Sequence, residues 1–289
     1  AKRALELGYD LLLEKPIAKT LREALELRDL AEKLGRRVAI CHVLRYTPFY
    51  NAIRNVINSG ELGEIMTFNA NEGVGAWHFG HSFVRGHWGN SVKSTPMIVA
   101  KCCHDMDIFL WLTGKHCKSV SSFGHLSHFK PECAPEGAHD KCTEACPAYA
   151  KCPYSIERYL HHAKEGCFSW PLDVVSPATN YDDFRADLLA GPYSRCVYHC
   201  DNNVVDHQVV NMEFEGGVTC SFTMCAFTGG GRFLRIMGTK GFIEGDMKTF
   251  KFYDFRTGHT SVWDQKVSEI AGYKGSGHGG GDHALVRDF

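Results

Sequence analysis

The sequence predicts an α/β plus α+β molecule: the C-terminal half of a doubly wound parallel sheet, then a larger α+β domain on a large, mostly antiparallel sheet. Three observations carry this reading. Residues 1–42 alternate helix and strand signals, and their two short apolar runs lack polar alternation, as parallel strands covered on both faces do. Helix starts at Thr47-Pro48 and Thr95-Pro96 are interleaved with strand patterns. From residue 207 the chain is strand-rich, with short glycine-containing turns. The 289 residues, 44% of them hydrophobic and 22% charged, suffice for two ordinary domains and exclude disorder as the main state.

Each element has its own signal. Residues 1–7 read as the end of a helix closed by Gly8, a residue that tolerates a left-handed conformation. Residues 9–13 form a short apolar strand. Thr20 with Glu23 makes a capping box, and Leu21, Ala24, Leu25, Leu27, Leu30, Ala31 and Leu34 carry a helix to Gly35. A second buried strand spans 38–42. Pro48 opens a helix that stops near Ser59-Gly60, and 64–72 reads as a strand. Residues 73–94 are expected as a glycine- and aromatic-rich loop, after which one helix runs through 96–113 to Gly114. A strand at 118–126 precedes a cysteine-rich stretch, 128–152; a loop that long is functional or is held by something other than a core. Strands at 207–214 and 218–227 form a hairpin about Glu215-Gly216-Gly217, and 233–237 pairs with 241–245 across Gly238-Thr239-Lys240. Two more strands follow at 249–255 and 260–267. The expected units are 1–46, the parallel-sheet segment; 47–276, the α+β substrate-binding and association domain; and 277–289, a glycine-rich approach to a helix.

Charge and cysteine usage narrow the function classes. The 32 Lys+Arg against 33 Asp+Glu leave a net charge of −1, so no global field draws the protein to nucleic acid or an anionic membrane. No apolar run reaches the roughly 18–20 residues of a membrane span, and no signal-peptide layout is present. Thirteen cysteines, an odd number in a chain this large, read as reduced thiols and point to the cytoplasm. The first residue is Ala1 rather than Met, so an export signal removed upstream stays open.

Chemistry gathers at a few places. Glu14-Lys15-Pro16 lies at the carboxyl end of a parallel strand, where open α/β sheets bind ligands, and a lysine there can hydrogen-bond a substrate hydroxyl. The alternative is a surface lysine in a turn. In the 96–113 helix Lys101 and His104 fall on one face, and a histidine is the natural base for the proton of an alcohol whose carbon loses hydride; the alternative is a satisfied structural histidine. No G-x-G-x-x-G follows a strand within these residues, since Gly229-Gly230-Gly231 links two strands.

With Glu14-Lys15-Pro16 after a parallel strand come RYTPFY (45–50) and SGELGEI (59–65), then CCHDMDIFLWLTG (102–114) and GTKGFIEGD (238–246). In this order the motifs resemble the Gfo/Idh/MocA family of NAD(P)-dependent oxidoreductases, which act on sugars, inositols and related polyols. The resemblance covers nearly the whole chain. It implies a Rossmann domain followed by an α+β domain whose sheet forms a homo-oligomer, and a chain that begins after the glycine-rich loop and lacks part of the C-terminus. It further implies that Lys15 lies beside nicotinamide and substrate, that His104 is the catalytic histidine, and that Glu14, Pro16 and Arg45 line the side of the NAD or NADP cofactor. Tyr46 belongs to the same cleft. The family pattern has an aspartate four residues before the histidine; here that position is Ala100, followed by Lys101, which is assigned to orienting or polarising substrate. Two other activities stay open: glycoside hydrolysis through transient sugar oxidation, and sugar binding without catalysis.

The 73–94 loop also concentrates His78, His81, Arg85, His87 and Trp88, suited to hydroxyl or carboxylate recognition and to stacking on a sugar ring, or to anchoring a polar surface loop. His81, Arg85, Trp88 and, near the end, His278 are therefore candidate substrate residues. Cys133, Cys142, Cys146 and Cys152 are candidate ligands of a structural zinc, with His128 an alternative to Cys133. Their spacing lacks paired C-x-x-C knuckles, so free thiols, disulfides or an iron–sulfur cluster stay as alternatives. Cys102 and Cys103 read as helix packing.

Overall fold

The structure, a computed structural model, describes residues 1–267 and 280–289. Helix α1 (Lys2–Glu6) leads into strand β1 (Leu11–Leu13), helix α2 (Leu21–Leu34) and strand β2 (Val38–Ile40). The capping box forms: the Thr20 hydroxyl accepts from the Glu23 N–H at 3.2 Å, and the Glu23 carboxylate accepts from the Thr20 N–H at 3.1 Å. Gly35 closes α2 at φ 61°. Strands β1 and β2 are parallel, Leu11 opposite Val38 and Leu13 opposite Ile40. Leu5, Leu27 and Ala31 cover Leu11 and Leu13, whereas Leu12 contacts a second cluster around Cys41 and Val43. Both faces of the pair are thus covered, as its apolar runs require.

A 3-10 turn (Val43–Tyr46) delivers Thr47, whose hydroxyl caps α3 (Pro48–Asn58), and β3 (Ile65–Gly73) follows. Residues 73–94 are not the loop expected from their glycines. Helix α4 (Ala76–Phe79) continues into a π-helical turn (Gly80–Arg85) and a 3-10 turn (His87–Gly89). The glycines are there for close approach: a Cβ on Gly86 would lie 2.7 Å from the His81 carbonyl oxygen.

The helix expected over 96–113 is broken in two, α5 (Met97–Ala100) and α6 (Cys103–Thr113), with a bend at Lys101 and Cys102. Gly114 still ends the second piece at φ 63°. Lys101 and His104 therefore do not share one helical face. Strand β4 (Cys117–His125) follows, and the cysteine-rich stretch holds one 3-10 turn (Pro131–Cys133). Three helices that the sequence pattern did not mark come next: α7 (Glu157–Lys164), α8 (Leu172–Val175) and α9 (Tyr181–Ala190). They are short, and their buried residues, among them Tyr159, Leu160, Leu172, Phe184 and Leu188, build a small core of their own.

Strands β5 (His207–Phe214), β6 (Thr219–Cys225), β7 (Gly231–Gly238), β8 (Gly241–Gly245), β9 (Thr249–Asp254) and β10 (Thr260–Asp264) complete an eight-stranded sheet of order β10-β9-β8-β7-β3-β6-β5-β4. All described neighbours are antiparallel except β3 and β6, because β3 arrives from a distant part of the sequence and inserts between β7 and β6. One sheet face buries Phe68, Phe214, Phe222, Leu234 and Ile236 in the main core with Phe109 of α6. Helix α10 (Gly281–Asp288) returns to the parallel pair, where Leu285 packs with Leu12, Cys41 and Val43. No described helix is long and apolar enough to cross a membrane.

Candidate active site

Because β1 and β2 run in parallel, Lys15 and His42, each two residues beyond its strand, leave the sheet on the same carboxyl edge. The Lys15 ammonium donates to the Ala100 carbonyl at 3.4 Å and lies 6.0 Å from the centre of the Trp88 ring. The edge of the parallel pair is thereby joined to the bend that separates α5 from α6.

His104, the second residue of α6, is 5% exposed. Its ring meets that of His42 edge-on at 5.8 Å. One helical turn further, the Asp107 carboxylate accepts from Arg45 Nε at 2.6 Å and Nη2 at 2.5 Å, and lies 4.0 Å from His42 Nε2. Burial pulls the His42 imidazole below its ordinary value even though Asp107 pulls the other way, which favours the neutral ring. Among the described residues its Nδ1 is buried without a hydrogen-bond partner. The result is a chain Arg45–Asp107–His42–His104 from a half-buried arginine to a buried histidine.

Beside it lies a buried charge cluster. Glu72, near the end of β3 on the core face, pairs with Arg232 across the strand register. Arg232 Nε is 2.8 Å from Glu72 Oε2 and 2.7 Å from Asp105 Oδ1. The Lys101 ammonium lies 3.6 Å from Glu72 Oε1, a reach made from the bend. Burial lowers the Lys101 pKa, with Glu72 opposing; burial raises that of Glu72, with Arg232 opposing. The cluster carries two cations and two carboxylates, and each charge has a partner. Glu72, Lys101 and Arg232 form one wall of a cavity of about 750 Å³ that also takes in His78, Trp77 and Trp170.

Residues 54–269 match the family model described as "Oxidoreductase family, C-terminal alpha/beta domain". The chain belongs to the Gfo/Idh/MocA oxidoreductase family. Its relatives include YteT of Bacillus subtilis, named as an oxidoreductase, which is 24% identical over 99% of this chain and 68% of its own length. Inositol 2-dehydrogenase of Corynebacterium glutamicum is 29% identical over 40% of this chain and 32% of its own length. Among solved structures, the inositol dehydrogenase homolog from Azotobacter vinelandii complexed with NAD+ superposes with a TM-score of 0.59 at 16% identity, covering 98% of this chain and 60% of its own. UDP-N-acetylglucosamine 3-dehydrogenase GnnA from Acidithiobacillus ferrooxidans gives 0.53 at 16% identity, covering 91% of this chain and 58% of its own. These structures share the fold, a Rossmann domain joined to an α/β domain, and the chain spans between about a third and about two-thirds of the length of these relatives.

Within this Gfo/Idh/MocA frame the residues singled out from sequence divide into groups. Lys15 lies near Trp88, His104 meets His42, and Arg45 clamps Asp107 one turn along the same helix, while Glu14 and Pro16 flank Lys15 in the chain. Lys101 faces the cavity instead of sharing a face with His104. Tyr46 is tied to the C-terminal helix, its hydroxyl donating to Asp288 Oδ2 at 2.7 Å; burial and Asp288 push its pKa up to about 12. His81 and Arg85 hold the π-helical turn together. The His81 ring, 2% exposed, bonds the Tyr159 hydroxyl through Nδ1 at 2.7 Å, and Arg85 donates to the Arg195 and Tyr154 carbonyls, each at 2.7 Å. Of the polar side chains in that segment, His78, which is not among the candidate substrate residues, lines the cavity beside Trp77, and burial draws its pKa down to about 4. His278 lies outside the described residues.

Glu72, Asp105, Arg232, His42, Asp107, Trp77 and Trp170 were not recognised from sequence. For Glu72 a signal existed: counted from Phe68 on alternate residues, it falls on the apolar face of its strand. The zinc expectation is corrected. All thirteen cysteines are free, and among the described residues no group of three or more His, Cys, Asp or Glu side chains is placed to hold a metal. Cys142, Cys146 and Cys152 border a small apolar cavity with Cys196, whereas the Cys133 thiol donates to the Ser127 carbonyl at 3.3 Å and His128 engages the Tyr198 hydroxyl at 3.2 Å. Hydrogen bonds fix the stretch in place of a metal, Cys142 N–H to Ser194 and Cys196 N–H to Asp140.

Proposed function

We propose that the protein is an NAD(P)-dependent dehydrogenase acting at a hydroxyl-bearing carbon of a sugar, an inositol or a related polyol. The convergence of Lys15 and His104 at the carboxyl edge of a parallel pair, one helical turn from a carboxylate that Arg45 clamps, supports this reading above all else. The carboxyl edge of the parallel pair, with Glu14, Lys15 and Pro16 on it, suits the nicotinamide end of a dinucleotide. When bound, NAD or NADP supplies the hydride acceptor.

The chain's own residues handle the proton and the oxygen. His104 takes the hydroxyl proton, and Lys15 donates a hydrogen bond to the same oxygen and favours the charge that develops on it. Lys101 orients a neighbouring hydroxyl from the cavity wall. The homo-oligomer in this proposal uses the open face of the large sheet, where Phe123 of β4 and Val209 of β5 are exposed cross-strand neighbours.

The test is NAD(P)H formation at 340 nm by the full-length protein over a panel of polyols, with His104→Ala alongside. Turnover should fall about 10²–10⁴-fold in the variant while dinucleotide binding persists. A full-length protein that binds NAD(P) and changes its redox state with no polyol sinks the reading. Aglycone release from glycosides without net NADH would select the hydrolytic alternative.

A further inference from the structure

The cavity beyond Lys101 is larger than one ring requires. At about 750 Å³ it lies high in the range of about 300–1,000 Å³ that holds drug-sized ligands, more than a six-carbon polyol fills. Its two ends differ in chemistry. At one end the charges of Glu72, Lys101 and Arg232 on the lining are mutually matched, with Asp105 outside the lining pairing Arg232. At the outer end are two indoles and one cation. Trp170 is 52% exposed, lines the cavity and meets His78 edge-on at 5.1 Å. The Arg158 guanidinium rests over the Trp77 ring at 4.4 Å, and among the described residues it makes no ion pair. An arginine stacked on an indole keeps its fork of N–H donors in a fixed plane, ready for a planar carboxylate, and exposed indoles stack on the apolar faces of sugar rings.

We infer that the substrate is a two-ring saccharide whose second ring carries a carboxylate: the reacting ring lies at Lys15, His104 and Lys101, the second ring stacks on Trp170, and Arg158 pairs with its carboxylate. This deepens the dehydrogenase reading and rests on it for the position of the reacting ring. Lys101 is the link, because it lines the cavity and directly follows Ala100, whose carbonyl holds the Lys15 ammonium. Specificity then comes from the outer subsite, since a hydroxymethyl group in place of the carboxylate leaves the arginine without its partner.

The experiment uses full-length protein loaded with NAD+ and matched hexosyl and uronosyl disaccharides, such as cellobiose and cellobiouronic acid. Affinity is read by titration calorimetry and turnover by absorbance. The uronosyl member of a pair should bind at least tenfold more tightly. Arg158→Gln should bring that ratio to about one, Arg158→Lys should restore part of it, and Trp170→Ala should weaken both members while the ratio survives. Arg158 and Trp170 are exposed, and unchanged melting curves would confirm that the variants fold. The inference is overturned if no pair shows the preference, or if the preference survives in Arg158→Gln. Preferential binding with no NADH formed would leave the subsite standing and remove the dehydrogenase reading; NADH formed with no preference would do the reverse.

Discussion

Lys101 is a buried lysine whose charge is favoured by two carboxylates, Glu72 first and Asp105 after it. Burial lowers its pKa and Glu72 raises it, while Arg232 and Lys15 push it down again. Replacing Glu72 with Gln removes the largest opposing influence, so the Lys101 pKa should fall further, and any limb of the pH–rate profile that reports Lys101 should move to lower pH. A limb that stays in place would mean that Lys101 does not titrate in the rate-determining state. His42 offers the companion case: burial lowers its pKa most, Asp107 opposes, and Arg45 and Lys15 push it down further. Arg45→Met should therefore raise the His42 pKa toward its ordinary value near 6.5, readable by NMR titration of the imidazole. The same change removes two charge-assisted hydrogen bonds from Asp107 and should cost about 1.5–3 kcal/mol of stability. Lys15 and His104 could be singled out from sequence as candidates because each belongs to a local motif. Glu72, Arg232 and Asp107 were not, because their roles come from partners between 29 and 160 residues away.

At the scale of elements, the sequence signals that worked were those enforced locally. The Thr20–Glu23 box and Gly35 bounded α2 to the residue, and the glycine turns of the late hairpins placed β5 and β8 with the same accuracy. What failed was whatever tertiary contacts override. The run from Pro96 to Gly114 carries continuous helical pattern, yet the pull of Glu72 on Lys101 accompanies a bend there that no local rule announces. The π-helical turn is a second case, since its glycines suggest a loop until one sees what Arg85 does. Arg85→Met would strip the donors from the Arg195 and Tyr154 carbonyls, at about 1–3 kcal/mol for each acceptor left unsatisfied. A fall of several degrees in Tm is expected, with KM for the polyol unchanged. A large rise in KM at constant Tm would instead place Arg85 on the substrate.

For the whole molecule, the position of β3 decides what the sheet can do. Inserted between β7 and β6, it carries Glu72 on the core face toward the cavity and Asn69 and Asn71 on the opposite face, which the described helices leave open. Following the register across that open face gives the row Phe123, Val209, Thr223, Asn71 and Phe233. Phe123 is 68% exposed, and two further members of the row are apolar. A face with apolar side chains at both ends of the row and polar ones between suits isologous contact with a second copy, in which each chain's Phe123 would reach the apolar residues of the other. The substitution Phe123→Glu brings a charge to that contact without touching the core. Light scattering should show the assembly shift toward monomer at micromolar concentration, while far-UV circular dichroism stays the same. If the assembly is unmoved, the open face is not where the copies meet, and the cavity behind β3 works independently of any partner.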